Sequence, residues 1–279
     1  DTFVVNTGNN TITTNGDSCA ILGGADITVN GFRCGTLGGY ENTISGGKAN
    51  AAIVGGYQNE VMENYGSIMG SRSSTVNAAY ATISGGYDIT VNGDYSAAIG
   101  GRDNEITGEY AVILGGRYNE ASEDYGLTFG RYAVGDQYGV LTQASSRQTN
   151  NGDAQTFHCT MSSTTNSGNT SDMYLDGTSQ YLQIPQKSRW YIQAQIIATD
   201  SAGTIGAGYR IQAVVERGTG NASTVWSNLI NDQEDDVAYN FALHIRNGTE
   251  LTIGTAQPTG FDPHQWSAYL QITQVLGDF

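Results

Sequence analysis

The chain has 279 residues, with 38 Gly and 17 Tyr against only 3 Pro, 14 % charged residues and a formal net charge of −15. That length holds two modest cores, and the scarcity of Leu-, Lys- and Glu-rich stretches leaves little from which to build helices. The charge opposes attraction to nucleic-acid phosphates or an anionic membrane surface, no apolar run reaches the roughly 18 residues of a membrane span, and aperiodic Gly with little Pro excludes collagen. No nucleic-acid partner, membrane insertion or cofactor is therefore expected. The start at Asp1, without Met or a signal core, is read as a cut edge.

An internal period governs the first half. With the Gly of each Ile-x-Gly-Gly-like element as marker (Gly23, Gly38, Gly55, Gly70, Gly85, Gly100, Gly115 and Gly130), six intervals are 15 residues and one is 17. Two before the marker stand Ile21, Thr36, Ile53, Ile68, Ile83, Ala98, Ile113 and Thr128; one before it stand Leu22, Leu37, Val54, Met69, Ser84, Ile99, Leu114 and Phe129. Adjacent strand residues face opposite ways, so this strand is apolar on both faces and needs cover on both. Six after the marker, Val29, Ile44, Val61, Val76, Val91, Ile106 and Ala121 form a second strand with one apolar face. A coil of two short strands stacking at about 4.8 Å is a β-solenoid or β-roll. The surplus apolar face predicts an obligate homotrimer, with Ile53, Ile68, Ile83 and Ile113 expected at its core.

Elements such as Tyr80-Ala81-Thr82-Ile83-Ser84-Gly85-Gly86 and Tyr110-Ala111-Val112-Ile113-Leu114-Gly115-Gly116 resemble the left-handed β-roll repeats of trimeric autotransporter adhesin heads and of related viral tail fibres. The resemblance implies a trimer and extracellular binding, but no particular ligand.

After residue 134 the period ends. Residues 135–180, rich in Thr, Ser, Asn and Gly, read as a connector. From residue 181 to 279, alternating runs such as Trp190-Tyr191-Ile192-Gln193-Ala194, Tyr209-Arg210-Ile211-Gln212-Ala213 and Trp266-Ser267-Ala268-Tyr269-Leu270 predict an antiparallel β-sandwich of jelly-roll type. This half is similar to a C-terminal module of bacteriophage tail fibres. The expected fold is thus all-β: a trimeric left-handed β-roll over residues 1–134, a connector, and a C-terminal sandwich.

Candidate sites divide into columns and loops. Tyr65, Tyr80, Tyr95, Tyr110 and Tyr125 recur every 15 residues, either as self-stacking rings or as a sugar-stacking strip. Tyr40, Tyr57 and Tyr87 alternate with Arg72, Arg102 and Arg117, as ring-to-guanidinium stacking requires. Cys19 and Cys34 fall at equivalent places in neighbouring coils, and both are expected as free thiols. Glu120, Glu123 and Asp124 read as a solvated turn rather than a glycosidase pair or Ca²⁺ site. His158, His244 and His264 are scattered, and no hydrolase, zincin or phosphate-loop motif occurs. No catalytic or metal-ligating residue is expected. Receptor contact is expected in sandwich loops, from Trp226, from Asp232, Glu234, Asp235, Asp236 and Tyr239, and from Phe261, His264 and Trp266.

Together these readings predict a non-enzymatic phage tail-fibre protein in the virion, acting extracellularly. Its expected partners are its own copies, other tail proteins and a host glycan or protein receptor. A bacterial trimeric adhesin head, which would need a C-terminal membrane anchor, and a polysaccharide-degrading tailspike are the alternatives.

Overall fold

The computed structural model describes residues 3–5, 8–13, 18–166, 169–200, 206–234, 240–256 and 264–277, which form strands, turns and irregular segments without a helix. The chain divides into two compact units, one of Asp1–Asp136 with Gln143–Ser145, the other of Gln137–Thr142 with Ser146–Phe279.

The first unit is a β-solenoid of about nine turns. One parallel ladder pairs Ile21, Thr36, Ile53, Ile68, Ile83, Ala98, Ile113 and Thr128 across successive coils. The other pairs Ile12, Val29, Ile44, Val61, Val76, Val91, Ile106 and Ala121. Residues from both ladders share one buried apolar cluster. Each coil buries its β-branched side chains against the other strand of its own chain, where they fit the pleat.

This placement corrects the expected trimer core. Ile53, Ile68, Ile83 and Ile113 are fully buried inside a single chain, so they are not available to another copy. The outward column is the neighbouring one. Leu22, Leu37, Val54, Met69, Ile99 and Leu114 are each 42–52 % exposed.

Polar groups inside the coils are stitched by asparagines. The Asn42 Oδ1 accepts from Asn59 N, Asn59 Oδ1 from Ser74 N, Ser74 Oγ from Ile89 N, Asn104 Oδ1 from Asn119 N, and Asn119 Oδ1 from Ala133 N, at 2.9–3.1 Å. Buried backbone N–H groups at the turns, which would otherwise lack partners, are satisfied by the preceding coil. The paired glycines serve different needs. Gly85 has φ +75 with open space where a Cβ would go, whereas at Gly86 (φ +103) a Cβ would lie 2.5 Å from Ile89 Cδ1 and 2.7 Å from Gly101 O.

In the second unit, the strands Ala154–Thr165, His264–Leu276, Ser188–Asp200, Gly206–Arg217 and Ala222–Glu234 pair antiparallel in that order. Glu250–Ala256 pairs with Thr170–Asp172, Leu182–Gln183 and Asn240–Arg246. Trp190, Ile192, Ile211 and Leu270 of the larger group share a core with Met173, Leu182, Leu251 and Ile253 of the smaller. The expected connector is therefore not one. Ala154–Thr165 pairs residue for residue with His264–Leu276, and its Phe157, Cys159 and Met161 are buried. Its alternation is concealed in sequence because several inward positions are polar, including Gln155, Ser163 and Thr165.

Candidate functional site

The four short strands around Glu250–Ala256 gather a polar group that spacing alone does not suggest. Asn240–Arg246 alternates strictly: Leu243 and Ile245 pack against the core, while Ala242, His244 and Arg246 face outward. Across the sheet, Gly254 pairs with both Ala242 and Asp172, which puts Asp172 on the same face as His244 and Arg246. A Cβ at residue 254 would lie 2.2 Å from His244 Cε1. Glycine there makes room for the imidazole to lean toward Asp172.

The Asp172 side chain is 8 % exposed, and its Oδ2 pairs with Arg246 Nη1. Its Oδ1 lies 3.8 Å from His244 Nδ1. The Tyr181 hydroxyl is 3.3 Å from both Asp172 Oδ2 and the Tyr174 hydroxyl. A carboxylate only accepts, so Tyr181 is the donor toward Asp172, with the Tyr174 hydroxyl as a second acceptor at the same distance. Burial first, and then the Tyr174 contact, push the Tyr181 phenol up to about 12, so it stays a donor. The Arg246 guanidinium lies 5.6 Å from the Tyr181 ring centre. The surrounding cavity, lined also by Phe241, Ala242 and Thr255, measures about 720 Å³, within the range of small-molecule clefts. A buried carboxylate beside an imidazole, a guanidinium and phenols can bind polar ligands, and it can move protons.

The residues singled out by sequence scatter more widely. Trp226 is about half exposed and pairs with Val214 on the strand at the sheet edge. Trp266 is a core residue whose Nε1 donates to Thr165 Oγ1 at 2.9 Å, so it is not a contact residue. The backbones of Asp232, Glu234 and His264 lie in strands, but their side chains are outside the described residues. Asp235, Asp236, Tyr239 and Phe261 lie wholly outside them.

Tyr65, Tyr80, Tyr95, Tyr110 and Tyr125 stack with centroids 4.5–5.0 Å apart and planes within 6°. Each interior ring spends both faces on its neighbours and offers only edges, which disfavours a sugar-stacking strip. Arg72 lies 5.4 Å from the rings of both Tyr57 and Tyr87, giving the second column its stacking partners. Asp124 Oδ1 accepts from Glu109 N at 2.8 Å, repeating what Asp94 does for Ala79 two turns earlier in the pattern. That carboxylate staples a turn.

No family model matches the chain, and no curated protein matches it. Among solved structures it is similar to gp49, a tailspike of Acinetobacter baumannii bacteriophage Fri1 and a capsular polysaccharide depolymerase (8 % identity, 94 % of this chain, 56 % of that one, TM-score 0.29). It is similar also to the tailspike of A. baumannii phage AM24 (8 % identity, 94 % and 58 % covered, TM-score 0.23). A third is Pantoea stewartii WceF, a glycan biofilm modifying enzyme with a tailspike-like parallel β-helix (9 % identity, 94 % and 48 % covered, TM-score 0.20). The chain spans little more than half the length of the first two. At such scores the likeness carries no argument about chemistry.

The expectation that the chain is not an enzyme does not stand: two of these similar proteins are a depolymerase and a glycan-modifying enzyme. That expectation rested on missing sequence motifs. Asp172 is far in sequence from His244 and Arg246, which share one strand, and it meets them only through strand pairing, so no motif search reaches the group.

Proposed function

We propose that the chain is part of a bacteriophage tail protein, a fibre or tailspike, whose second unit engages a host surface polysaccharide at the Asp172–His244–Arg246 cavity. The observation that carries this reading is that cavity: one buried carboxylate beside a partly exposed guanidinium, an imidazole and aromatic side chains. It supports recognition of a polar, ring-shaped ligand. The reading includes a left-handed roll, a sandwich-type second unit and a homotrimer in the virion. Its chains would meet across the Leu22, Leu37, Val54, Met69, Ile99 and Leu114 column, where one chain leaves apolar surface in water.

The test is adsorption of the fluorescently labelled chain to encapsulated bacteria of several strains and to the same cells stripped of capsule. Binding to at least one strain, lost on stripping, is expected. Failure to adsorb to any strain overturns the reading. A second reading, cleavage of the same polysaccharide, is favoured by the carboxylate and imidazole 3.8 Å apart and is read from new reducing ends in the same samples.

A further inference from the structure

The cavity has a charge arrangement that selects among glycans. Among the described residues that line it, the one acidic side chain, Asp172, is turned inward, whereas His244 and Arg246 keep 53 % and 49 % of their side-chain surface open. A guanidinium carries five N–H groups in a planar fork, and Asp172 engages one of its nitrogens. What the cavity presents outward is therefore the N–H donors of the guanidinium and the imidazole, with Glu250 paired across from Arg246, in a chain whose net charge is −15. A neutral sugar would meet that half-exposed guanidinium edge through hydrogen bonds alone, whereas an anionic group adds charge assistance.

Building on the glycan-receptor reading above, we propose that this cavity binds an acidic sugar residue, its anionic group against Arg246 and His244 and its ring beside Tyr174. Asp172 and Tyr181 act as positioning residues. Asp172 orients the guanidinium through Nη1, and Tyr181, held by Tyr174, fixes the carboxylate. The guanidinium fork fits a sugar carboxylate and a sugar phosphate alike, and the probes below separate the two.

The full chain is titrated with oligogalacturonate, hyaluronan oligosaccharides and sialyllactose, with carboxyl-reduced forms of each, and with a sugar-phosphate oligomer. At least one acidic probe is expected to bind about tenfold tighter than its reduced form, and to weaken as salt rises. Arg246→Gln should remove most of that preference. Asp172→Asn keeps an oxygen that accepts from Nη1 but removes the neutralising charge, so affinity for the acidic probe should rise, whereas Asp172→Ala, which also removes the acceptor, should lower it. For Asp172→Asn a merely structural role predicts the opposite, loss of all binding. Should Arg246→Gln fail to fold, His244→Gln alters a half-exposed ring and should lower acidic-probe affinity several-fold with an unchanged melting transition.

Preference for the sugar-phosphate oligomer over every carboxylate probe assigns the anion as phosphate and supports the inference. Equal binding of acidic and reduced forms, or acidic-probe binding undiminished in both Arg246→Gln and His244→Gln, overturns it. A chain that adsorbs to capsule yet binds no acidic probe defeats the acidic-sugar inference alone, whereas a chain that adsorbs to no cell defeats the receptor reading beneath it.

Discussion

Replacing Asn119 by Leu tests whether the asparagine column holds the coils together. Asn119 is 1 % exposed. Its Oδ1 accepts from Ala133 N at 3.0 Å, and its Nδ2 donates to Gly115 O at 3.0 Å and Gly130 O at 2.9 Å. Leucine keeps the branching at Cγ but has no polar atom, so it strands the fully buried Ala133 N–H. Gly130 O suffers less because it also accepts from Arg117 N at 3.0 Å. One stranded donor and two weakened acceptors cost about 2–4 kcal/mol. Asn119→Ser should cost less, about 1 kcal/mol, because Ser74 already performs the same task for Ile89 N at 3.1 Å. The assay is guanidinium unfolding followed by far-UV circular dichroism, at one protein concentration because oligomers shift with it. A Leu variant within about 0.5 kcal/mol of the parent, or a Ser variant worse than Leu, would refute the reasoning.

The two faces of the first ladder should separate on mutation: Ile83→Asp buries an uncompensated carboxylate and should prevent folding, whereas Leu114→Asp should leave circular dichroism intact and abolish assembly in light scattering. Gly86→Ala should destabilise more than Gly85→Ala, since only the former meets neighbouring atoms, and thermal melts would show the order. Cys19, Cys34 and Cys159 are buried free thiols, and burial pushes Cys159 up to about 12; iodoacetamide should label it at pH 8 only as the chain unfolds. Asp153 accepts backbone N–H bonds from Gln148, Thr149 and Asn150, which outweigh burial and hold its carboxyl below the usual range. A depressed folded value means its stabilisation is present above the ordinary carboxylate pKa of about 3.9 and fades as pH falls through the folded value. The Asp153→Asn variant should therefore lose stability at pH 7 and show a smaller loss on acidification, read from urea midpoints across pH.

The solenoid was legible because its signal repeats. A column such as Ile53, Ile68, Ile83 and Ile113 reports strand, register and burial together, and the 15-residue spacing matches the ladder pairing. What the column did not reveal is which of two apolar faces looks inward. Ile83 and Leu114 are equally hydrophobic; the interior selects β-branched side chains that fill a narrow space between two strands, and that preference distinguishes the faces better than hydrophobicity does. The strand at Ala154–Thr165 was missed for a related reason. Its inward polar positions, Gln155, Ser163 and Thr165, erase the contrast on which period-two reading depends.

The cavity lay beyond sequence reading because its members have no common period. Asp172 sits among serine and threonine in a segment without repeats, and His244 is one of only three histidines, none near another in the chain. The residue that came nearest to a signal is Gly254. A glycine inside an otherwise β-forming run, Leu251-Thr252-Ile253-Gly254-Thr255, weakens the strand it interrupts and asks what passes close to it. The answer is the His244 ring, which leans over the place a Cβ would occupy. Gly254→Ala should therefore displace the imidazole from Asp172 and reduce acidic-glycan binding without touching either side chain. NMR of the His244 ring together with the titration already described would report it, and an unshifted ring with unchanged binding would show that the glycine is there for another reason.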